Sequence, residues 1–152
     1  MNPQGAQSYL RTQVFTATPE QLQMMLYDGA IRFSEQARPA LAAQQWETSY
    51  TLISKAQKIL NELMGNLRHD IAPELCGRLS SLYNYVYRML VEANTQHKVE
   101  SLDEAVKILR YQRETWQMLL QQLGRQKAAE AVRKLDVPAP SARMEASISM
   151  QG

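Results

Sequence analysis

Residues 16–33 read TATPEQLQMMLYDGAIRF, and this run decides the fold because a helix start and a helical apolar pattern occur in it together. Thr18 offers a side-chain oxygen to the free N–H groups of a first turn. Pro19 suits the first helical position, and Gln21 stands where a capping-box partner reaches back. A helix therefore starts at Pro19. Leu22, Leu26, Ala30, Phe33 and Ala37 follow at spacings of three or four, which places them on one side of a 3.6-residue helix, facing a core. Met24, Tyr27 and Ile31 lie on the far side from Leu22 and Leu26, about 140–200° around the axis counted from Leu22, and form a second apolar stripe that this core does not use. Either another element of the chain covers that stripe or a partner groove does.

Further along, helix one runs to about Gln44, with Pro39 expected to kink or end it near Arg38 because it removes a backbone donor. Helix two spans about Trp46 to Leu67, with Tyr50, Ile53, Ala56, Leu60, Leu63 and Leu67 at helical spacing. Asp70 is the expected N-cap of helix three, which runs from about Ile71 to Ala93 with Pro73 in its first turn. Its core stripe is Leu75, Leu79, Leu82, Val86 and Met89. Tyr83, Tyr87 and Leu90 form a second stripe beside it, so this helix too has more apolar surface than one core face needs. Ser101 and Glu104 have capping-box spacing ahead of helix four, which turns Ala105, Leu109, Trp116, Leu120 and Leu123 inward and stops at Gly124.

Strand signals are absent. Four helices with short connections predict an all-α, antiparallel up-down four-helix bundle. Residues 1–15, where Tyr9, Leu10, Val14 and Phe15 show no sustained period, are expected to be an irregular N-terminal arm. Residues 16–135 form the bundle domain, ending in a short, marginal fifth helix from Arg125 to Leu135. Residues 136–152 are rich in Pro, Ser and Ala without periodicity and read as a disordered tail.

The chain has 152 residues, 45% of them hydrophobic, with only 6 Gly and 6 Pro, which suits one domain with a real core. Its 17 Lys and Arg against 15 Asp and Glu leave a net charge of +2, mixed along the sequence. No basic stripe marks a nucleic-acid surface. One cysteine, Cys76, excludes an internal disulfide and a cysteine-based zinc site. There is no signal-peptide pattern and no run of apolar residues long enough for a membrane span, so a soluble cytoplasmic chain is expected.

A search for catalytic chemistry finds none, and the reading is not an enzyme. The bundle lacks the Glu-x-x-His pairs of a carboxylate-bridged metal centre. His69 and His97 both fall in connections, where a solvated surface side chain is the ordinary reading. Phosphate loops, nucleophile elbows and Cys/His pairs are missing, so no metal and no cofactor is expected. What stands out is tyrosine, 7 residues against 2 Phe and 2 Trp, with Tyr27, Tyr83, Tyr85 and Tyr87 on helices one and three. A ring apolar in its body and polar at its tip suits either a bundle edge or a partner surface.

These residues resemble the flagellar export chaperones of the FliS type. The resemblance is carried by Tyr9, by Thr16-Ala-Thr-Pro19 with Leu22, and above all by Leu26-Tyr-Asp-Gly-Ala30. It continues in Lys55-Ala56, in Ile59 through Leu63, in Leu79 with Leu82-Tyr83-Asn-Tyr85, in Ala93-Asn94 and in Trp116, over roughly residues 5–123. It departs from the family where His69-Asp-Ile-Ala-Pro73 replaces a frequent Gly-Gly pair, at Pro39, and after Leu123. The resemblance implies a chaperone that binds the disordered C-terminal segment of flagellin in the cytosol, prevents premature polymerisation and delivers it to the type III export apparatus. It also implies an arm that lies over part of the binding surface when no client is bound.

On that reading Tyr9, Met24, Tyr27, Ile31, Tyr83, Tyr87 and Leu90 contact the client. A flagellar export-gate component and other flagellar regulators are further partners, and the chain is a monomer or a weak homodimer. The alternatives are a self-associating structural bundle and an adaptor for another flagellar export or regulatory protein.

Overall fold

The computed structural model of the chain describes residues 3–135. It contains α1 (Pro3–Thr16), α2 (Pro19–Ala42), α3 (Trp46–Gly65), α4 (Pro73–Gln96) and α5 (Val99–Lys134). The chain divides into a first unit, residues 1–116, and a second that begins at Gln117. In the first unit α2, α3, α4 and the leading part of α5 make the antiparallel four-helix bundle that the sequence predicts. The tail expected from Asp136 onward lies outside the described residues.

The start of α2 is as its sequence dictates. The Gln21 N–H donates to Thr18 Oγ1 at 3.2 Å, and the Thr18 N–H donates to Gln21 Oε1 at 3.0 Å. This reciprocal box satisfies two donors that a helix start otherwise leaves open. Pro39 does not end the helix. It lies in the last turn with its ring exposed, and its carbonyl still accepts from the Ala43 N–H at 2.9 Å.

Neighbouring helices are joined by three kinds of contact. At the α2–α3 seam, a Cβ added to Gly29 would stand 3.0 Å from Ile59 Cδ1, so the absence of a side chain lets the two helices approach. Across α4 and α5, Ser101 Oγ donates to Glu92 Oε2 at 2.6 Å. The α5–α2 seam is polar: Arg38 holds Asp103 through two bonds of 2.7 and 3.1 Å, Arg110 pairs with Glu35, and Arg113 pairs with Asp28. Trp116 Nε1 donates to the Glu20 carbonyl at 2.8 Å and closes that seam at the start of α2. These exposed pairs fix register more than they add stability.

The core is built from Tyr27, Ala30, Ile31, Ala37 and Leu41 of α2, Ile53, Ala56, Leu60 and Leu63 of α3, Tyr83, Val86, Leu90 and Ala93 of α4, and Leu102, Ala105 and Leu109 of α5. Here the expected stripes need correction. Tyr27, Ile31, Tyr83 and Leu90 are buried, whereas Leu22, Leu26, Phe33, Leu79, Leu82 and Met89 are only half-buried. Leu75 and Tyr50, both expected inside, are exposed. Because α2 is flanked by α3 on one side and α5 on the other, its buried arc extends from Gly29 round to Ile31. The two stripes are parts of one broad core face. On α4 the inward positions are Cys76, Tyr83, Val86, Leu90 and Ala93, one residue on from most of the leucines.

Other expectations are corrected as well. The expected irregular arm over residues 1–15 is corrected for its described part: residues 3–15 form most of α1, supported by back-bonds from Thr12 Oγ1 to the Ser8 carbonyl and from Thr16 Oγ1 to the Thr12 carbonyl, at 3.1 and 2.9 Å. Ala6, Leu10 and Val14 repeat every four residues among good helix formers, a pattern too short to stand out. Asp70 does not cap α4. It pairs with Arg68, and Ala72 occupies the cap position without a side-chain bond. Ser101 lies inside the first turn of α5, drawn to Glu92 instead of capping. Gly124 does not stop α5, since it does not adopt the left-handed conformation such a stop requires. The helix continues to Lys134, so the expected fifth helix is no separate element.

Candidate partner-binding surface

The residues singled out in the sequence fall into three environments. At the α2–α4 contact, the Tyr27 and Tyr83 hydroxyls hydrogen-bond each other, and Gln23 Nε2 donates to both at 3.4 Å. The rings are tilted by 52° with centroids 6.4 Å apart. Burial, followed by the neighbouring Tyr27, pushes the Tyr83 phenol well above its ordinary pKa. A polar pair in an apolar interior is tolerated because each hydroxyl has a partner, and no buried side-chain polar atom among the described residues lacks one. Tyr27, Tyr83, Ile31 and Leu90 thus belong to the packed interior and offer no free surface. The stripe they form, expected to face a partner, is corrected to core.

Met24 and Tyr87 are half-buried at the margin of that core. Tyr9 is 69% exposed on α1, where Leu10, Val14 and Phe15 are exposed too. None of these four α1 side chains belongs to the core or packs on it. The arm expected to lie over the binding surface is instead an uncovered helix.

The open apolar surface lies elsewhere. A depression of about 670 Å³ over α5 is walled by Leu82 of α4 and by Val106, Ile108 and Tyr111 of α5, with Asp103, Lys107, Arg110 and Glu114 at its rim. Tyr111 is 68% exposed. Asp103 and Arg110 are held from α2 by Arg38 and Glu35, so the rim is fixed before anything binds. An apolar floor inside a charged rim suits the apolar face of an amphipathic segment. Sequence reading missed these residues. Val106 and Tyr111 stand off the Ala105–Leu109–Trp116 stripe just as Met24 stands off that of helix one, and Leu82 was assigned to the core.

The histidines are in connections, as their positions indicated. His97, in the left-handed conformation that ends α4, stacks on Trp46 with centroids 3.9 Å apart, and His69 is exposed. Among the described residues no three His, Cys, Asp or Glu side chains gather as metal ligands, and no helix is long and apolar enough to cross a membrane.

Comparison with known proteins gives a consistent result. The family described as "Flagellar protein FliS" matches residues 1–123. The flagellar secretion chaperone FliS of Bacillus subtilis is 34% identical over 120 residues, covering 79% of this chain and 87% of the relative. The flagellar secretion chaperone FliSB of Pseudomonas aeruginosa is 34% identical over 113 residues, covering 74% and 90%. The Salmonella typhimurium flagellar secretion chaperone FliS is 31% identical over 115 residues, covering 75% and 85%. A crystal structure of a flagellar chaperone from bacteria superposes with a TM-score of 0.65 over 78% of this chain and 97% of that one. At 21% identity that likeness is one of fold.

Proposed function

The chain belongs to the FliS family of flagellar proteins, and from that membership we propose that it is a cytosolic export chaperone for flagellin. It holds the disordered C-terminal segment of flagellin, prevents premature polymerisation and hands the subunit to the type III export apparatus. The observation that carries this reading is the unfilled apolar depression framed by Leu82, Val106, Ile108 and Tyr111. A disordered amphipathic segment folds as it binds, and the ordering cost must be offset by a large apolar contact. Half-buried Met24 and Tyr87 and exposed Tyr9 extend the candidate contact beyond the depression. Buried Tyr27, Ile31, Tyr83 and Leu90 support it from within by fixing the helices.

The test is calorimetric titration of the whole chain with a peptide of the flagellin C-terminal segment, for the parent and for Tyr111→Asp. The parent binds, and Tyr111→Asp loses at least about tenfold in affinity, as expected for a central aromatic contact. Equal affinities would place the groove elsewhere, and no binding by the parent would reject flagellin as the client.

A self-associating bundle is the second reading, favoured by the uncovered Leu10, Val14 and Phe15 of α1. Light scattering of the free protein decides it, since a monomer at micromolar concentration leaves no role for such pairing.

A further inference from the structure

The part of α5 that begins at Gly124 has a character of its own. The family match ends at residue 123, yet the helix continues to Lys134 with every residue from Gly124 to Leu135 exposed. This short run holds Arg125, Lys127, Arg133 and Lys134 against Glu130 alone, so it carries more positive charge than the whole chain nets. None of the four cations takes part in an ion pair among the described residues. Arg133 and Lys134 sit in the last turn, where the helix dipole accounts for them. Arg125 and Lys127 lie two turns earlier, beyond the reach of that effect.

One arc of the same helix is apolar. Counting 100° per residue, Ala128, Ala131, Val132 and Leu135 fall within about 100° of one another. Val132 and Leu135 are 53% and 75% exposed, and the cations flank this arc, Arg125 about 20° beyond Val132 on one side and Lys127 and Lys134 about 40–60° beyond Ala131 on the other, with Arg133 on the far side.

We infer that the exposed C-terminal end of α5 is an interfacial helix that rests on an anionic lipid surface, with Val132 and Leu135 in the headgroup boundary and the cations on acidic headgroups. The pattern is that of a basic amphipathic helix. Charge excludes a second copy of this segment as the occupant, because two such helices would repel each other. Nucleic acid would match the cations but leaves the apolar arc without a purpose, whereas a bilayer surface uses both. The inference stands apart from the flagellin reading, since it involves none of the residues of the α4–α5 depression.

The test is co-sedimentation of the full chain with phosphatidylcholine vesicles and with vesicles in which phosphatidylglycerol replaces a third of the lipid, at low and high salt. The parent sediments with the phosphatidylglycerol vesicles only, and salt releases it. Arg125→Glu with Lys127→Glu weakens that partitioning about tenfold or more, and Val132→Ser with Leu135→Ser weakens it several-fold at unchanged charge. Circular dichroism of each variant establishes that the helices are retained. Equal sedimentation with both vesicle types overturns the inference, as does charge reversal without effect. DNA binding as tight as vesicle binding, together with an inert serine double variant, would also overturn it and assign the cations to nucleic acid.

Discussion

Two apolar sets in the first unit contrast with each other. Tyr27, Ile31, Tyr83 and Leu90 lie between helices and are at most 7% exposed. Leu82, Val106, Ile108 and Tyr111 line a depression that none of the described residues fills. Leu82 apart, both sets stand off a core stripe in the sequence, and both mix aromatic with aliphatic side chains. What separates them is the number of flanking helices. Positions on α2 and α4 that point between neighbours are covered whatever their residue type, while the outward arc of α5 has no neighbour among the described residues. Surplus apolar residues therefore signal a surface only after the neighbours of each helix are known.

The strongest way to break this contrast is to truncate one member of each set. Leu90→Ala should cost about 2–5 kcal/mol, because it leaves a cavity in a packed interior. Tyr111→Ser should cost under about 0.5 kcal/mol, since it changes an exposed position. Urea midpoints measure both. Equal losses would mean that the α5 depression is part of the core.

Gly29 sharpens the same contrast from the backbone side. A Cβ there would already stand 3.0 Å from the end of Ile59, a flexible tip that can give by a few tenths of an ångström. Gly29→Val adds branches that cannot be absorbed that way and should cost about 1–3 kcal/mol through overpacking of the α2–α3 seam. Thermal melts test it. An unchanged melting temperature would show that the helices can separate freely at this seam.

The tyrosine pair gives the next effect in size. Tyr83→Phe leaves the Tyr27 hydroxyl with Gln23 alone and should cost about 1 kcal/mol. It should also change the alkaline limb of stability. Burial raises the folded-state pKa of Tyr83, so its contribution is fully present below the unfolded value of about 10 and is lost as pH rises above it. Parent stability should fall over that range more steeply than that of Tyr83→Phe. Parallel slopes in urea titrations at alkaline pH would remove Tyr83 as the cause.

Helix existence was legible where a cap stood ahead of a repeating apolar pattern, as at Thr18 and Gln21, and where the pattern alone was long, as along Ile53, Ala56, Leu60 and Leu63 of the uncapped α3. Facing was less legible. On α2 the inner seam includes Gly29 and Ser34, which carry no hydrophobic signal, although Ser34 is satisfied by its own helix through the Ala30 carbonyl at 2.7 Å. On α4 the inner seam uses Cys76 and Tyr83 where leucines one residue earlier looked more apolar. Helix ends failed where a capping side chain found a different partner, as when Ser101 turned to Glu92 of the preceding helix and Asp70 to Arg68 in its own loop. The candidate depression was hidden for the reason that misplaced the stripes: one sequence shows which residues are surplus to a helix but not which helix lies beside them.

The smallest expected effect on stability comes from α1. Its Leu10, Val14 and Phe15 bury nothing in the core, and the Thr12 and Thr16 hydroxyls bond to carbonyls of the same helix. Removing residues 1–15 should therefore shift the urea midpoint by the equivalent of less than about 0.5 kcal/mol, provided that Thr18 remains to cap α2. Binding of a hydrophobic dye distinguishes an uncovered α1 from a covering arm. A helix that displays Phe15 at 86% exposure contributes apolar surface, so its removal should lower dye binding. A covering arm would do the opposite, because its loss would uncover the apolar residues beneath. Higher dye fluorescence in the truncated chain would thus mean that α1 spends much of its time in solution on the bundle surface. Lower fluorescence would leave the α5 depression open to a client without any displacement of α1.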